Sequence, residues 1–311
     1  MVALLRGRTS STPAGEPSAA TFVGDVMSTV LSLGRFRFRL NRKRAFAGAV
    51  FAASLGLASA AASAECGRDG GGFAGWLQQF KSKAGGQGLS PKAIAALDGL
   101  SYDRKVIGLD RSQRSFKLGF EQFYAKRVSG GLIARGRSLI KTHGATFQRI
   151  EARFGVPAPV LVAIWGLETG YGSDSGNMQI LRSLATLAYD CRRSEFFQNE
   201  LIHALKIVDR GDMSPAQLRG GWAGEIGQTQ FLASSYYKFA VDFDGNGRRD
   251  LIRSVPDMLA STANFLKAHG WRPGQGWQPG SGNYGVIQEW NKAQVYVKTI
   301  SIMADKLAGR S

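Results

Sequence analysis

Three stretches of the sequence carry side chains whose types and spacing suit chemistry. In "APVLVAIWGLETGYG" (158–172), Glu168 follows Leu161, Ile164 and Trp165 at helical spacing, so one carboxyl falls on an apolar stripe. Glutamate is almost never fully buried unless it is paired or put to use. An apolar setting favours the protonated acid, the form that can hand a proton to a leaving group. From the spacing alone, a side chain that reaches the surface or meets an arginine fits equally well. Gly170 and Gly172 end the helix just past the carboxyl, and Asp174 beyond them reads as a polar loop residue.

In the second stretch, "GGWAGEIGQTQFLASSYYKFA" (220–240), glycines precede an amide-bearing helix start. Glycine lets the backbone approach something flat, such as a sugar ring. Gln228 and Gln230 supply paired donors and acceptors for a polar, uncharged ligand. An ordinary glycine-rich loop is the plain alternative. The third stretch, "DFDGNGRRDLIRSVPD" (242–257), sets Asp242, Asp244 and Asn246 at positions one, three and five of a calcium loop, with Gly247 at six for the turn. Position seven would offer the Arg248 carbonyl, and position nine is Asp250. Position twelve should be a bidentate glutamate but is Arg253, so Asp257 is the nearest carboxylate that could close the shell. A solvated acidic turn is the competing reading.

The elements that must hold these groups read as helices punctuated by Gly and Pro. Helical patterns fit 72–84, 90–100, 115–128, 129–144 and 145–155, then the Pro-started segment with Glu168, then 180–189, 194–208, 229–240, 257–268 and 287–308. Residues 270–285 hold too much Gly and Pro for regular structure. Few alternating Val, Ile and Thr runs occur, so the expected class is mainly α with little β-sheet. The expected domains are a leader at 1–64, an N-terminal helical subdomain at 65–155 and a core at 156–311 carrying the calcium-type loop at 242–257.

The leader follows from order. "RFRFRLNRKR" (35–44), the apolar "AFAGAVFAASLGLASA" (45–60) and "ASA" (62–64) reproduce the basic, apolar and small-residue regions of a secretory signal. Met27 could be the true start. The apolar run falls short of the roughly 20 residues of a membrane span, and charged Glu65 before Cys66 disfavours a lipid anchor. An exported, soluble, periplasmic protein is expected. Forty Lys and Arg against 23 Asp and Glu give a net charge of +17, but the basic residues are scattered, without the basic and aromatic groove that nucleic acid needs. Cys66 and Cys191 are the only cysteines, and an even pair in an oxidising compartment favours one disulfide over two buried thiols. They show no zinc-ligand spacing with His143, His203 and His269.

"AIWGLETGYG", "WAGEIGQTQF", "YKFAVDFDGNGRRD" and "SVPDMLASTANFLKAHGW" together resemble the membrane-bound lytic murein transglycosylase B family, glycoside hydrolase family 103, across about residues 73–308. The resemblance implies a lysozyme-like helical catalytic core, peptidoglycan glycan strands as the partner and a monomer. It implies Glu168 as the one catalytic acid, acting later as base, with no cofactor for catalysis. Gln230 would line the sugar cleft, and "EWNKAQVY" (289–296) matches a groove segment, giving Trp290, Asn291 and Tyr296; Tyr124 matches a groove tyrosine less closely. A structural calcium would sit on Asp242, Asp244, Asn246, the Arg248 carbonyl and Asp257. Two positions depart from the pattern. Gly221 stands where the family commonly has Ser, removing a hydroxyl contact to substrate, and Glu225 stands where the family has Ala. A lytic transglycosylase is the preferred reading. A water-using muramidase and a non-catalytic wall-binding or calcium-stabilised module are the alternatives.

Overall fold

The computed structural model describes residues 66–112 and 118–310; the expected leader at 1–64 lies outside them. The described residues group as one compact unit. Helices α1 (Phe73–Gly86), α2 (Pro91–Ala95) and α3 (Arg104–Arg111) open the described chain. Then come α4 (Phe120–Arg127), α5 (Gly130–Thr142), α6 (Gly144–Phe154) and α7 (Ala158–Thr169). Beyond these lie α8 (Ile180–Tyr189), α9 (Ser194–Asp209), α10 (Ala233–Phe239), α11 (Val255–Ala268), α12 (Tyr284–Trp290) and α13 (Gln294–Leu307). Two strands of two residues, β1 (Met178–Gln179) and β2 (Arg219–Gly220), pair antiparallel, with Met178 opposite Gly220. The mainly α class expected from the patterning is what the chain adopts.

α7 is the axis of the core. Val160 to Leu167 are all buried, and α5, α6, α11 and α13 pack around the helix. A helix apolar on every face belongs inside a larger body. Pro157 and Pro159 start it without needing the amide donors a first turn leaves unpaired. Gly170 stops it in the left-handed conformation (φ 57°), with its amide bonded to the Gly166 carbonyl at 2.9 Å. Glu168 therefore stands in the last turn of a buried helix, where the chain turns out to solvent.

Several boundaries differ from the expected ones, each for a local reason. α10 begins at Ala233 rather than 229 because Gln230 adopts a left-handed backbone (φ 54°) in a tight turn. α11 begins at Val255 because the Ser254 hydroxyl caps the Asp257 amide. The single helix expected over 287–308 is broken in two, since Asn291 leaves helical geometry and its Oδ1 accepts from the Ala293 amide at 3.0 Å. The Gly- and Pro-rich 270–285 segment is irregular but anchored. Buried Asn283 donates to the Arg272 and Gln275 carbonyls and accepts from the Arg272 amide.

Cys66 and Cys191 are bonded, with their Cα atoms 4.9 Å apart. The Gly67 amide donates to the Tyr189 carbonyl and the Cys191 amide to the Gly67 carbonyl. Buried Asp110 beside them is ion-paired with Arg111, Arg192 and Arg193. Among the described residues no single helix is long and apolar enough to cross a membrane.

Candidate active site

Glu168 is partly exposed although the helix that carries it is not. The indole Nε1 of Trp290 donates to Glu168 Oε1 at 3.0 Å. Trp290 ends α12 with no solvent exposure and is held edge-on by Phe231 and Phe265, with ring centroids 5.2 and 5.1 Å away. Its donor direction is thus set by packing. Tyr296, on the first turn of α13, is buried, and its hydroxyl faces the Glu168 carboxyl and the Arg127 guanidinium without full hydrogen-bond geometry to either. Burial pushes this phenol well above its ordinary value, and the negative charge of Glu168 pushes it further. Arg127, at the end of α4, also donates to the Leu167 carbonyl. Glu168, Trp290, Tyr296 and Arg127 thus form one cluster, drawn from α7, α12, α13 and α4.

The glycine-rich stretch builds a second wall. Gln230 Nε2 donates to the Ser175 and Gly227 carbonyls, which fixes its amide with Oε1 towards Gly221. Gly221 has no side chain where a Cβ would run into Glu225 Oε2 and lie 3.1 Å from Gln230 Oε1. Glu225 is buried; its Oε2 accepts the Ala223 amide at 3.0 Å, and its Oε1 has no partner. Burial raises the proton affinity of Glu225 above the ordinary carboxyl value, and the charge of Glu168 contributes in the same direction.

Other expected groups are used differently. Gln228 is partly exposed, but both ends of its side-chain amide are bonded within the fold. Its Oε1 accepts the Trp165 indole at 3.0 Å, its Nε2 donates to the Ile252 carbonyl, and its own carbonyl accepts from Thr169 Oγ1. It ties the catalytic-candidate helix to the acidic loop. Asn291 turns the chain between α12 and α13, with its buried Nδ2 unpartnered. The Tyr124 ring lies under Lys306, Nζ 5.1 Å from its centroid, and its buried hydroxyl has no partner. Asp174 is exposed beyond α7. Arg127 escaped the sequence reading because a lone arginine at a helix end looks solvated. Glu225 was visible only as a departure.

In the acidic loop, Asp242, Asp244 and Asp257 bring carboxylate oxygens within 4.8 Å of one another. Backbone amides of Gly245, Asn246 and Gly247 wrap Asp242, and those of Phe243, Asp244 and Asp250 wrap buried Asp257. Asn246 Oδ1 accepts the Arg248 amide. Arg253 pairs with Asp250 at 2.6 Å, so positions nine and twelve satisfy each other, and Asp257 is the third carboxylate of the cluster. Three hard oxygen donors at this separation fit a calcium-sized cation.

The body is mainly helical, with one partly exposed glutamate at the end of a buried helix beside a glycine-rich wall. Residues 72–281 match the family model of the transglycosylase SLT domain, and the chain belongs to that family. It is 43% identical over 122 residues to membrane-bound lytic murein transglycosylase B of Escherichia coli K12, a match spanning 39% of this chain and 34% of that relative. It superposes on SltB3 of Pseudomonas aeruginosa, solved with NAG-anhNAM-pentapeptide, with a TM-score of 0.72 and 31% identity over 76% of this chain and 80% of that one. E. coli lytic transglycosylase Slt35, solved in complex with calcium, gives a TM-score of 0.65 and 25% identity over 75% of this chain and 92% of the other.

Proposed function

We propose that the protein is a lytic transglycosylase that cleaves the β-1,4 bond between N-acetylmuramic acid and N-acetylglucosamine in peptidoglycan, releasing a 1,6-anhydromuramoyl end. The observation that carries this reading is the partly exposed Glu168 carboxyl, oriented by the Trp290 indole at 3.0 Å. Cleaving a glycosidic bond ordinarily takes two carboxylates, the second as nucleophile or base. Here the nearby Glu225 is buried and cannot reach an anomeric carbon, while Asp174 is exposed in the turn beyond α7. A mechanism with one working carboxyl is therefore favoured.

Glu168 protonates the leaving glycosidic oxygen as the bond breaks. The acetamido group of the substrate sugar stabilises the charge developing at the anomeric carbon, as in other substrate-assisted glycosidases. The sugar's own 6-hydroxyl then attacks that carbon, and the Glu168 carboxylate takes its proton. The protein thereby regains its starting protonation without consuming water. Tyr296 and Arg127 flank the carboxyl, and Gln230, Gly221 and Tyr124 are proposed to border the glycan groove, with fully buried Trp290 and Asn291 behind its wall rather than on its surface. The N-terminal helical part (65–155) supplies Arg127 and Tyr124, and the core (156–311) supplies the rest.

A calcium ion on Asp242, Asp244, Asn246, the Arg248 carbonyl and Asp257 would neutralise clustered charge and stiffen the loop that Gln228 ties to α7. It supplies no chemistry to the reacting bond. The protein is proposed to act in the periplasm after export.

Glu168→Gln tests the reading. General acid–base catalysis contributes about 10²–10⁴-fold, so mass analysis of muropeptides from purified sacculi should find anhydro products lost while the fold is retained. Activity of the variant within about tenfold of wild type, well inside that range, would remove Glu168 from the mechanism. Reducing rather than anhydro ends would assign a water-using muramidase.

A further inference from the structure

The cations of this chain are unevenly matched with acids. Arg111, Arg192 and Arg193 crowd round Asp110. Arg137 on α5 and Lys306 in the last turn of α13 form no ion pair among the described residues. Both are exposed, and both line one cavity of about 290 Å³ between α4, α5 and α13. No acidic residue lines that cavity. Two cations that face one space without an acid repel each other and attract an anion.

Two contacts hold the charges in place. Arg137 Nη2 donates to the Lys306 carbonyl at 2.6 Å, which fastens the guanidinium of α5 to the end of α13. Lys306 Nζ rests 5.1 Å from the centre of the Tyr124 ring. Neither contact neutralises its cation, and a guanidinium has further N–H donors to give. Asp305, next to Lys306 in sequence, is engaged by Gln278 at 2.7 Å and by Arg310. The cavity wall also includes exposed Ser129 and Gly130, small residues that open α5 with no acidic group in its first turn.

The cavity adjoins the Glu168 cluster. Tyr124 lines it, and Arg127, three residues further along α4, belongs to the cluster. Three helical residues rise by only about 5 Å. The N-acetylated sugar rings of the glycan are uncharged, so the anions of peptidoglycan are the carboxylates of the peptides that hang from its muramic acid residues. An extended peptide covers roughly 3.3–3.6 Å per residue, and a stem of three or more residues spans about 10 Å. A stem on a sugar beside Glu168 therefore has the reach to lay a carboxylate in this solvent-open space.

We propose that the cavity between α4, α5 and α13 is a carboxylate site, in which Arg137 and Lys306 bind the peptide stem of a muramic acid residue held beside Glu168. The inference rests on the transglycosylase reading and extends it from the sugar to the peptide. Arg137 offers the planar fork that suits a carboxylate, and Lys306 a point charge beside it. Stems with free acids are favoured over stems whose carboxyls are capped as amides.

The test compares peptide-bearing glycan fragments with the same fragments after their carboxyls are converted to amides, which keeps length and removes charge. Binding is read by calorimetry in the Glu168→Gln background, so nothing is turned over. The parent should prefer the free-acid fragments by about tenfold, the low end for a hydrogen bond to a charged group. Arg137→Gln and Lys306→Gln should each reduce that preference, and together they should abolish it while binding of the amidated fragments stays as in the parent. Lys141→Gln removes an exposed cation from the last turn of α5 outside the cavity and should change neither. Salt at about 1 M, where the Debye length is about 3 Å, should shrink the preference. Circular dichroism confirms folding, and Lys306→Glu, which should reverse the preference, keeps the question decidable if Arg137→Gln unfolds. A preference that survives in the folded double variant, or that Lys141→Gln lowers as much, would overturn the inference. So would a parent that binds both fragments alike, or variants that lose both fragments equally. Each of these results leaves the transglycosylase reading intact. Failure of wild-type enzyme to yield anhydro ends would overturn that reading and this inference with it.

Discussion

Replacing Trp290 by Phe isolates the hydrogen bond that aims Glu168. The indole donates to Oε1 at 3.0 Å from a fully buried position. Phe keeps an aromatic ring against Phe231 and Phe265 but removes the donor. A hydrogen bond to a charged group is worth about 1.5–3 kcal/mol. At about 1.4 kcal/mol per factor of ten, Trp290→Phe should slow the reaction by about 10- to 150-fold. The loss should fall on kcat, since the bond is to the reacting carboxyl and touches no sugar. The smaller ring also leaves unfilled volume, costing about 1–2 kcal/mol of stability, less than the 3–5 of a truncation to Ala. Release of anhydro-muropeptides from soluble glycan chains gives kcat and KM, and urea unfolding gives the stability change. Phe265→Leu is the control, because it loosens the same aromatic cluster and keeps the indole donor. A Trp290→Phe enzyme within about twofold of wild-type kcat, or an equal loss in Phe265→Leu, would show that packing rather than the hydrogen bond supports the carboxyl.

Calcium at about a hundred times its Kd should stabilise the protein by about 2.7 kcal/mol, raising Tm by about 5–10 °C for a chain of this size. Chelator or Asp242→Asn should abolish the rise in scanning calorimetry, and a Tm indifferent to calcium would refute the site. Cys191→Ser should lower stability by up to about 4–5 kcal/mol, the chain-entropy value for a loop of this size, and often by less; denaturant unfolding under non-reducing conditions measures it. Because burial raises the proton affinity of folded Glu225 above its ordinary 4.5, that group costs nothing below the unfolded value and costs progressively more as pH climbs through the folded one. Glu225→Gln should therefore match wild type in acid and become the more stable protein as pH rises, with a constant stability difference across pH as the refuting result.

What the sequence disclosed followed from local rules. α8 was legible end to end, and α7 was legible from its apolar run between Pro157 and Gly170. The helical class and scarcity of sheet followed from periodicity. Glu168 stood out because a carboxyl on an apolar stripe demands an explanation. The acidic loop was legible from its spacing, including Asp257 as the carboxylate past the irregular twelfth position. The rest depended on contacts between distant segments. Gln228 and Gln230 are two residues apart and chemically alike, yet with a left-handed turn at Gln230 the partly exposed Gln228 bonds Trp165 and Ile252 while buried Gln230 turns its Oε1 towards Gly221. The break between α12 and α13 rests on Asn291 capping a helix, which competes locally with a continuous helical pattern. Arg127 joins the Glu168 cluster only because α4 packs on α13. Gly221 and Glu225 looked like independent departures until the geometry put them in the same space.

The bond between Cys66 and Cys191 encloses 125 residues of separation, and that span holds α1 through α8, including α7, which carries Glu168 in its last turn. A protease that cuts the backbone once anywhere inside it produces two polypeptides but a single covalent molecule. The N-terminal piece stays fastened beside Asp190 and the arginines around Asp110, and the remaining packing still holds Glu168 under Trp290. The protein can thus be nicked and keep its working parts together. Loss of the cross-link would turn the same cut into dissociation.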